Sequence, residues 1–208
     1  MATDGCKYDG GPRVSLVQDI DRLLPQTQCQ ACGFNGCRPY AQALASGLAS
    51  PDKCPPGGLD TLKRLGALLK VDVKPYLERF DSSLRLPSEA YIREEACIGC
   101  AKCINVCPVD AIVGAAKHMH HVIADECTGC GLCVESCPVD CIEMIEIPKP
   151  KYNKNLAREH YQARIQRLDK EARGQKQHYQ HGKMEQATIE AKKAYIQEAL
   201  ARIQQKKR

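Results

Sequence analysis

Cys97, Cys100, Cys103, Cys107 and Pro108 recur thirty residues later as Cys127, Cys130, Cys133, Cys137 and Pro138. The flanking Val109, Asp110 and Ile112 recur as Val139, Asp140 and Ile142. Self-similarity at a fixed period means two copies of one supersecondary unit, so residues 97–147 must fold as two equivalent halves. β-forming residues stand just ahead of each cysteine run, Tyr91 and Ile92 in the first half and Val122 and Ile123 in the second. The pattern predicts a short strand, a ligand-rich loop and a short helix opened by the proline in each half.

The spacing Cys-x2-Cys-x2-Cys-x3-Cys-Pro is that of bacterial ferredoxin-type [4Fe-4S] sites, in which the fourth cysteine of each run ligates the other cluster. Three closely spaced thiolates wrap one cubane, while the fourth reaches across the pseudo-twofold. Cys97, Cys100, Cys103 and Cys137 are therefore expected around one cluster, and Cys127, Cys130, Cys133 and Cys107 around its partner. Gly99 and Gly129 allow the backbone to turn tightly around the inorganic core. Pro108 and Pro138 are expected in the first turn of a following helix, whose positive end favours an anionic cluster. Neither structural zinc nor disulfides account for two such runs with the same terminal proline.

Cys29, Cys32, Cys37 and Cys54 form a second, less regular set among loop glycines. Four thiols suit a third [4Fe-4S] cluster, and they also suit tetrahedral zinc. Cys141 aligns with Ala111 in the repeat and is expected to pack as a small buried residue. Cys6 has no partner spacing and is expected to be a free thiol in a mobile leading segment. His118, His120 and His121 lie between the two runs, but twelve cysteines already complete three sites, so a loop or strand position is expected rather than ligation. Neither a phosphate loop, a nucleophile motif nor a dinucleotide fingerprint is present, so the sequence offers no substrate-converting site of its own.

The 14 cysteines offset a poverty of large apolar side chains, with no Trp and only 2 Phe in 208 residues. Net charge +5 conceals a division: residues 1–148 hold 14 basic and 19 acidic side chains, whereas 149–208 hold 16 and 6. No stretch approaches the roughly 20 apolar residues of a membrane span, and the start lacks the pattern of a secretory signal. The expected location is cytoplasmic, without a transmembrane helix. Helical spacing of apolar residues predicts amphipathic helices over Val14–Leu24 and from Leu59 to Leu69, with a small-residue helix opened by Pro39 between them. The expected organisation is α+β: a small helical cluster domain over 12–71, a linker over 72–87, and a two-cluster ferredoxin-like domain over 88–147. Its halves are 88–117 and 118–147, and a basic helical extension follows over 148–208. Gly174 and Gly182 are expected to interrupt that extension, which should be separable from the cluster domains at Pro148.

The run Leu23-Leu-Pro-Gln-Thr-Gln-Cys-Gln-Ala-Cys-Gly-Phe-Asn-Gly-Cys-Arg-Pro-Tyr40, then Cys54-Pro-Pro-Gly-Gly58, ahead of the ferredoxin repeat, resembles the B-subunit family of Rnf (Rsx) ion-translocating electron transport complexes. The resemblance covers about residues 13–147. It implies that Cys29, Cys32, Cys37 and Cys54 also bind a [4Fe-4S] cluster, making three clusters in all. It further implies electron relay within a complex at the cytoplasmic face of the inner membrane, linking ferredoxin and NAD pools to ion movement. The implied partners are the other subunits of such a complex and redox donor and acceptor proteins. The basic extension is longer than the resemblance requires, and is expected to make peripheral contact with an anionic membrane or an acidic subunit.

Two other functions use the same cysteines. A soluble multi-cluster ferredoxin would present the acidic head to other reductases. A regulatory iron-sulfur protein would use the basic tail on nucleic acid, but that tail holds no recognised reading module, so nucleic acid is not the expected partner.

Overall fold

The computed structural model describes residues 14–80 and 86–206, and Cys6 lies outside them. Two compact units divide it, one ending at Gln162 and one from Ala163 onward.

The first unit begins with α1 (Val14–Leu23), α2 (Cys37–Ala45) and α3 (Gly58–Leu69). Each buries one apolar face, and Ile20, Leu24, Ala41, Leu44 and Leu65 meet in a core with Cys37, Tyr40 and Cys54. Two cysteines of the irregular set are thus part of the hydrophobic core itself. A 3-10 turn over Pro55–Gly57 leads into α3, and the connector expected after Lys70 contains a further short helix, α4 (Lys74–Phe80).

The repeat folds as two interlocked halves. Strand β1 (Ser88–Ile92) pairs antiparallel with β4 (Ile142–Glu146), and β2 (Ile112–Val113) with β3 (His121–Val122). Ile92 lies opposite Ile142 in one sheet and Val122 opposite Ile112 in the other. The thirty-residue period therefore governs strand register as well as cysteine spacing. The strand ahead of each cysteine run pairs with the strand after the other run's proline, so the second half's end closes on the first half's start.

One local expectation is overturned. The short helices, α5 (Lys102–Val106) and α6 (Leu132–Ser136), precede the prolines instead of following them. Proline disfavours helical backbone in the residue before it and donates no N-H. Cys107 (φ −63°, ψ 117°) and Cys137 (φ −79°, ψ 116°) are accordingly extended, and each ends its helix. Pro108 and Pro138 thus stop helices, turn the fourth cysteine out of the run and feed a turn toward β2 or β4. Among the described residues, no helix starts between Pro108 and β2 or between Pro138 and β4.

Helix α7 spans Lys154–Lys206. Its first turns, to Gln162, belong to the first unit: Ala157 is buried in the ferredoxin-like core, and Tyr161, together with Tyr152 just ahead of the helix, packs against that core. The second unit is the remainder of the helix, which runs through Gly174 and Gly182 without the expected break. An interior glycine costs a helix only about 1 kcal/mol relative to alanine, and the Arg, Lys, Gln, Glu and Ala around these two are strong helix formers. Ion pairs at i,i+4, Arg173 with Asp169 and Arg202 with Glu198, add to that preference. Among the described residues, no helix is long and apolar enough to cross a membrane.

Candidate metal centres

The first cavity is walled by Cys29, Cys32, Cys37 and Cys54, with Pro25, Tyr40 and Pro55. Its cysteines come from the loop after α1, the start of α2 and the turn before α3. The loop takes an unusual path, since Gln26 (φ 62°), Gln28 (φ 55°) and Gln30 (φ 59°) are all left-handed. Such backbone is strained for residues other than glycine and persists only where its surroundings hold it. A buried polar chain does so here. Gln28 Oε1 accepts from Cys37 N at 2.8 Å, Gln28 Nε2 donates to Gln26 Oε1 at 2.8 Å, and Gln26 Nε2 donates to Asp21 O at 2.6 Å. From α7, Arg158 Nε donates to Asp21 Oδ2 at 2.6 Å. Tyr152 Oη donates to Pro25 O at 2.8 Å and Tyr161 Oη to Asn35 O at 2.7 Å, so the start of the basic helix clamps both sides of the cysteine loop.

The second cavity is walled by Cys97, Cys100 and Cys103 of one half and Cys137 of the other, together with Ile92, Ile98, His120, Val139, Cys141 and Ile142. The remaining thiols, Cys107, Cys127, Cys130 and Cys133, lie close enough to one another to interact electrostatically. Cys107, Cys130 and Cys133 each feel the ionisation of others in that set: burial first, then Cys107 and Cys127, push Cys130 up to about 12, and burial with Cys130, Cys127 and Cys107 does the same to Cys133. Burial pushes Cys37 and Cys54 to about 12 as well. Cys137 differs. Burial opposes its ionisation, but backbone N-H groups of Val139 and Cys141 and the Cys141 thiol outweigh it and lower its pKa.

The tight turns at Gly99 (φ 66°) and Gly129 (φ 67°) are equivalent and required. A Cβ on Gly129 would lie 2.1 Å from Ser88 O, and one on Gly99 would lie 2.5 Å from His118 N, the matching residue of the other half. Fourth-cysteine geometry also repeats: Ala111 N donates to Cys107 Sγ at 3.2 Å and Cys141 N to Cys137 Sγ at 3.4 Å. Cys141 itself is buried, 3.5 Å from Cys137 Sγ, at the place Ala111 takes in the first half. All thirteen described cysteines are free thiols.

The first cavity abuts the set around Cys130. Thr128 Oγ1 donates to Thr27 O at 2.9 Å, joining the loop ahead of Cys29 to the residue after Cys127, and the Cys29 thiolate contributes to the raised pKa of Cys130.

Three elements escaped sequence reasoning. His120 stands in a loop position beside β3, as expected, but its burial was not foreseen: it is 1% exposed, with Nδ1 3.2 Å from Cys103 Sγ. The Asp21–Gln26–Gln28 chain carries no motif, because its meaning depends on left-handed backbone. Arg158 belongs to a segment whose composition reads as solvated tail; the signal available was Ala157 and Tyr161, one turn apart on one face of an otherwise charged stretch.

Comparison with known proteins bears on both parts of the unit. A family described as a 4Fe-4S dicluster domain matches residues 90–144, and one described as a putative Fe-S cluster matches residues 24–56. The chain is 53% identical over 141 residues to the B subunit of the ion-translocating oxidoreductase complex from Alkalilimnicola ehrlichii, covering 68% of this chain and 74% of that protein. To the protein of the same name from Hahella chejuensis it is 58% identical over 142 residues, 68% of this chain and 70% of the other. To that from Shewanella pealeana it is 52% identical over 147 residues, 71% and 75%. The chain therefore belongs to the B-subunit family of ion-translocating oxidoreductase complexes.

Proposed function

We propose that this chain is the iron-sulfur electron-transfer subunit of an Rnf-type complex and relays electrons through three [4Fe-4S] clusters. Cys29, Cys32, Cys37 and Cys54 hold the first, Cys127, Cys130, Cys133 and Cys107 the second, and Cys97, Cys100, Cys103 and Cys137 the third. The observation that carries the reading is the cavity walled by three cysteines of one half and Cys137 of the other, which is the crossed arrangement that the spacing calls for. The donor set fits the group. Four thiols line a cavity whose other walls are mostly apolar, with Ile92, Ile98, Val139 and Ile142.

When bound, a [4Fe-4S] cluster accepts and returns one electron. The protein's part is to supply thiolates, shut out water and set the potential through burial and hydrogen bonds to sulfur. Backbone N-H groups of Ala111, Cys141 and Ala90 already point at Cys107, Cys137 and Cys127 sulfurs. The contact between Thr27 and Thr128 supports an order in which the first set neighbours the Cys127 set, which neighbours the Cys97 set. The partners are the other subunits of the complex and one-electron donor and acceptor proteins. The second unit, basic and with Ile165, Leu168, Ile189, Ile196 and Leu200 exposed, is suited to an anionic membrane surface or an acidic subunit.

Electron paramagnetic resonance of the fully reduced chain tests the count. About three unpaired spins per chain are expected, one per cluster. About two would remove the irregular set from the relay.

A further inference from the structure

The two halves of the repeat are not identical where it matters for the sulfurs. In the sheet made by β1 and β4, Ala90 lies opposite Met144. Thirty residues on, continuing the register of Val113 with His121, the corresponding pair is His120 and Gly114. Small and large have changed places. A Cβ on Gly114 would come within 2.3 Å of His120 Cδ2, so the absence of a side chain at 114 makes the seat in which the imidazole lies. His120 itself is buried, with Nδ1 directed at Cys103 Sγ (3.2 Å) and Cys97 Sγ (3.7 Å), while Nε2 has no partner among the described residues. In the other half, the matching position offers Cys127 only the backbone N-H of Ala90, at 3.5 Å.

Leaving a buried ring nitrogen unpaired is unfavourable, and the other half fills the matching space with Ala90 and Met144, which carry no polar side-chain N or O. A histidine here has to be accounted for by what its other nitrogen does. A thiolate bound to iron can only accept, which fixes the proton on Nδ1. We infer that His120, seated by Gly114, is a positioning residue that donates Nδ1-H to the Cys103 thiolate and sets the cluster held by Cys97, Cys100, Cys103 and Cys137 at a higher reduction potential than its repeat-related twin. Reduction adds one negative charge to the cluster and its thiolates, and a donated hydrogen bond stabilises that charge. The proton stays on Nδ1 throughout. The inference rests on the reading that these four cysteines hold a [4Fe-4S] cluster.

The test is a redox titration of the full, cluster-loaded chain followed by electron paramagnetic resonance, with iron counted first. His120→Ala, which installs the residue the other half already uses, is expected to keep its iron and to make one cluster harder to reduce by about tenfold in equilibrium constant, about 59 mV for one electron. The other two potentials should stay in place. Gly114→Ala should give the same single shift with the histidine still present, and His120→Asn, which retains an N-H donor, should recover part of it. In unaltered chain labelled with 15N-histidine, hyperfine spectroscopy of the reduced cluster should detect one coupled ring nitrogen. Unchanged potentials in an iron-replete His120→Ala chain would overturn the inference, as would absence of nitrogen coupling in the unaltered chain should the variant shed iron. An unaltered chain lacking iron at these four cysteines would instead overturn the cluster reading itself.

Discussion

Arg158 and Asp21 meet across 137 residues of chain, with Arg158 Nε 2.6 Å from Asp21 Oδ2 and Arg158 Nη2 donating to Asp21 O at 3.1 Å. Through Gln26 and Gln28, this pair is connected to the backbone of Cys37. The basic helix therefore begins as part of the scaffold that shapes the first set of thiols.

Arg158→Ala would leave Asp21 charged and largely buried. Removing one partner of such a pair costs about 3 kcal/mol. The expected outcome in chemical denaturation is an earlier transition, with the iron of the first set released before the rest. Arg158→Lys keeps the charge and loses the fork, so it should fall between.

The clamp also dictates where the tail can be cut. A chain ending at Gln162 retains Tyr152, Arg158 and Tyr161 and should hold as much iron as the full chain. A chain ending at Pro148 loses all three contacts and should lose iron from Cys29, Cys32, Cys37 and Cys54 while keeping the two repeat clusters. Iron assays on the two truncations decide this, and equal iron would show the clamp to be dispensable.

Much of this is readable in the residues. The thirty-residue period foretells the cavity shared by Cys97, Cys100, Cys103 and Cys137, the equivalent glycines and the Cys141–Ala111 match, because cysteine spacing and tight turns are local properties that a chain cannot disguise. The position of the short helices is less legible, since Pro108 and Pro138 can either open a following helix or end a preceding one, and here their effect on the preceding cysteine prevails. Arg158, Gln28 and His120 are hidden for a different reason. Their partners lie far away in sequence, and nothing in composition separates a buried arginine, glutamine or histidine from a solvated one.

Crossed ligation predicts an asymmetric response to two neighbouring substitutions. Cys137→Ser should damage the cluster of Cys97, Cys100 and Cys103, in the other half of the repeat, whereas Cys141→Ala should leave iron content unchanged. Gly129→Ala combines left-handed strain, about 1–3 kcal/mol, with a collision against Ser88 O, and should disturb the Cys127 set most. Iron content and cluster spectra of the three variants check these outcomes.

Without metal, the thiols impose a pH dependence. Burial holds Cys37, Cys54, Cys130 and Cys133 protonated up to about 12, above the ordinary 9.0. Between those values the folded chain binds more protons than the unfolded one, so stability is full below pH 9 and falls as pH rises toward 12. Iron-loaded chain, whose thiolates are already deprotonated, should lack this decline. Thermal melts of the two forms across that window supply the comparison.

The central claim, three cubanes on twelve cysteines, is tested most directly by metal and sulfide analysis of anaerobically purified full-length chain. The account predicts about 12 iron, about 12 acid-labile sulfide and no zinc per chain. About 8 iron with one zinc would contradict it, leaving Cys29, Cys32, Cys37 and Cys54 as a structural zinc site beside a two-cluster ferredoxin unit.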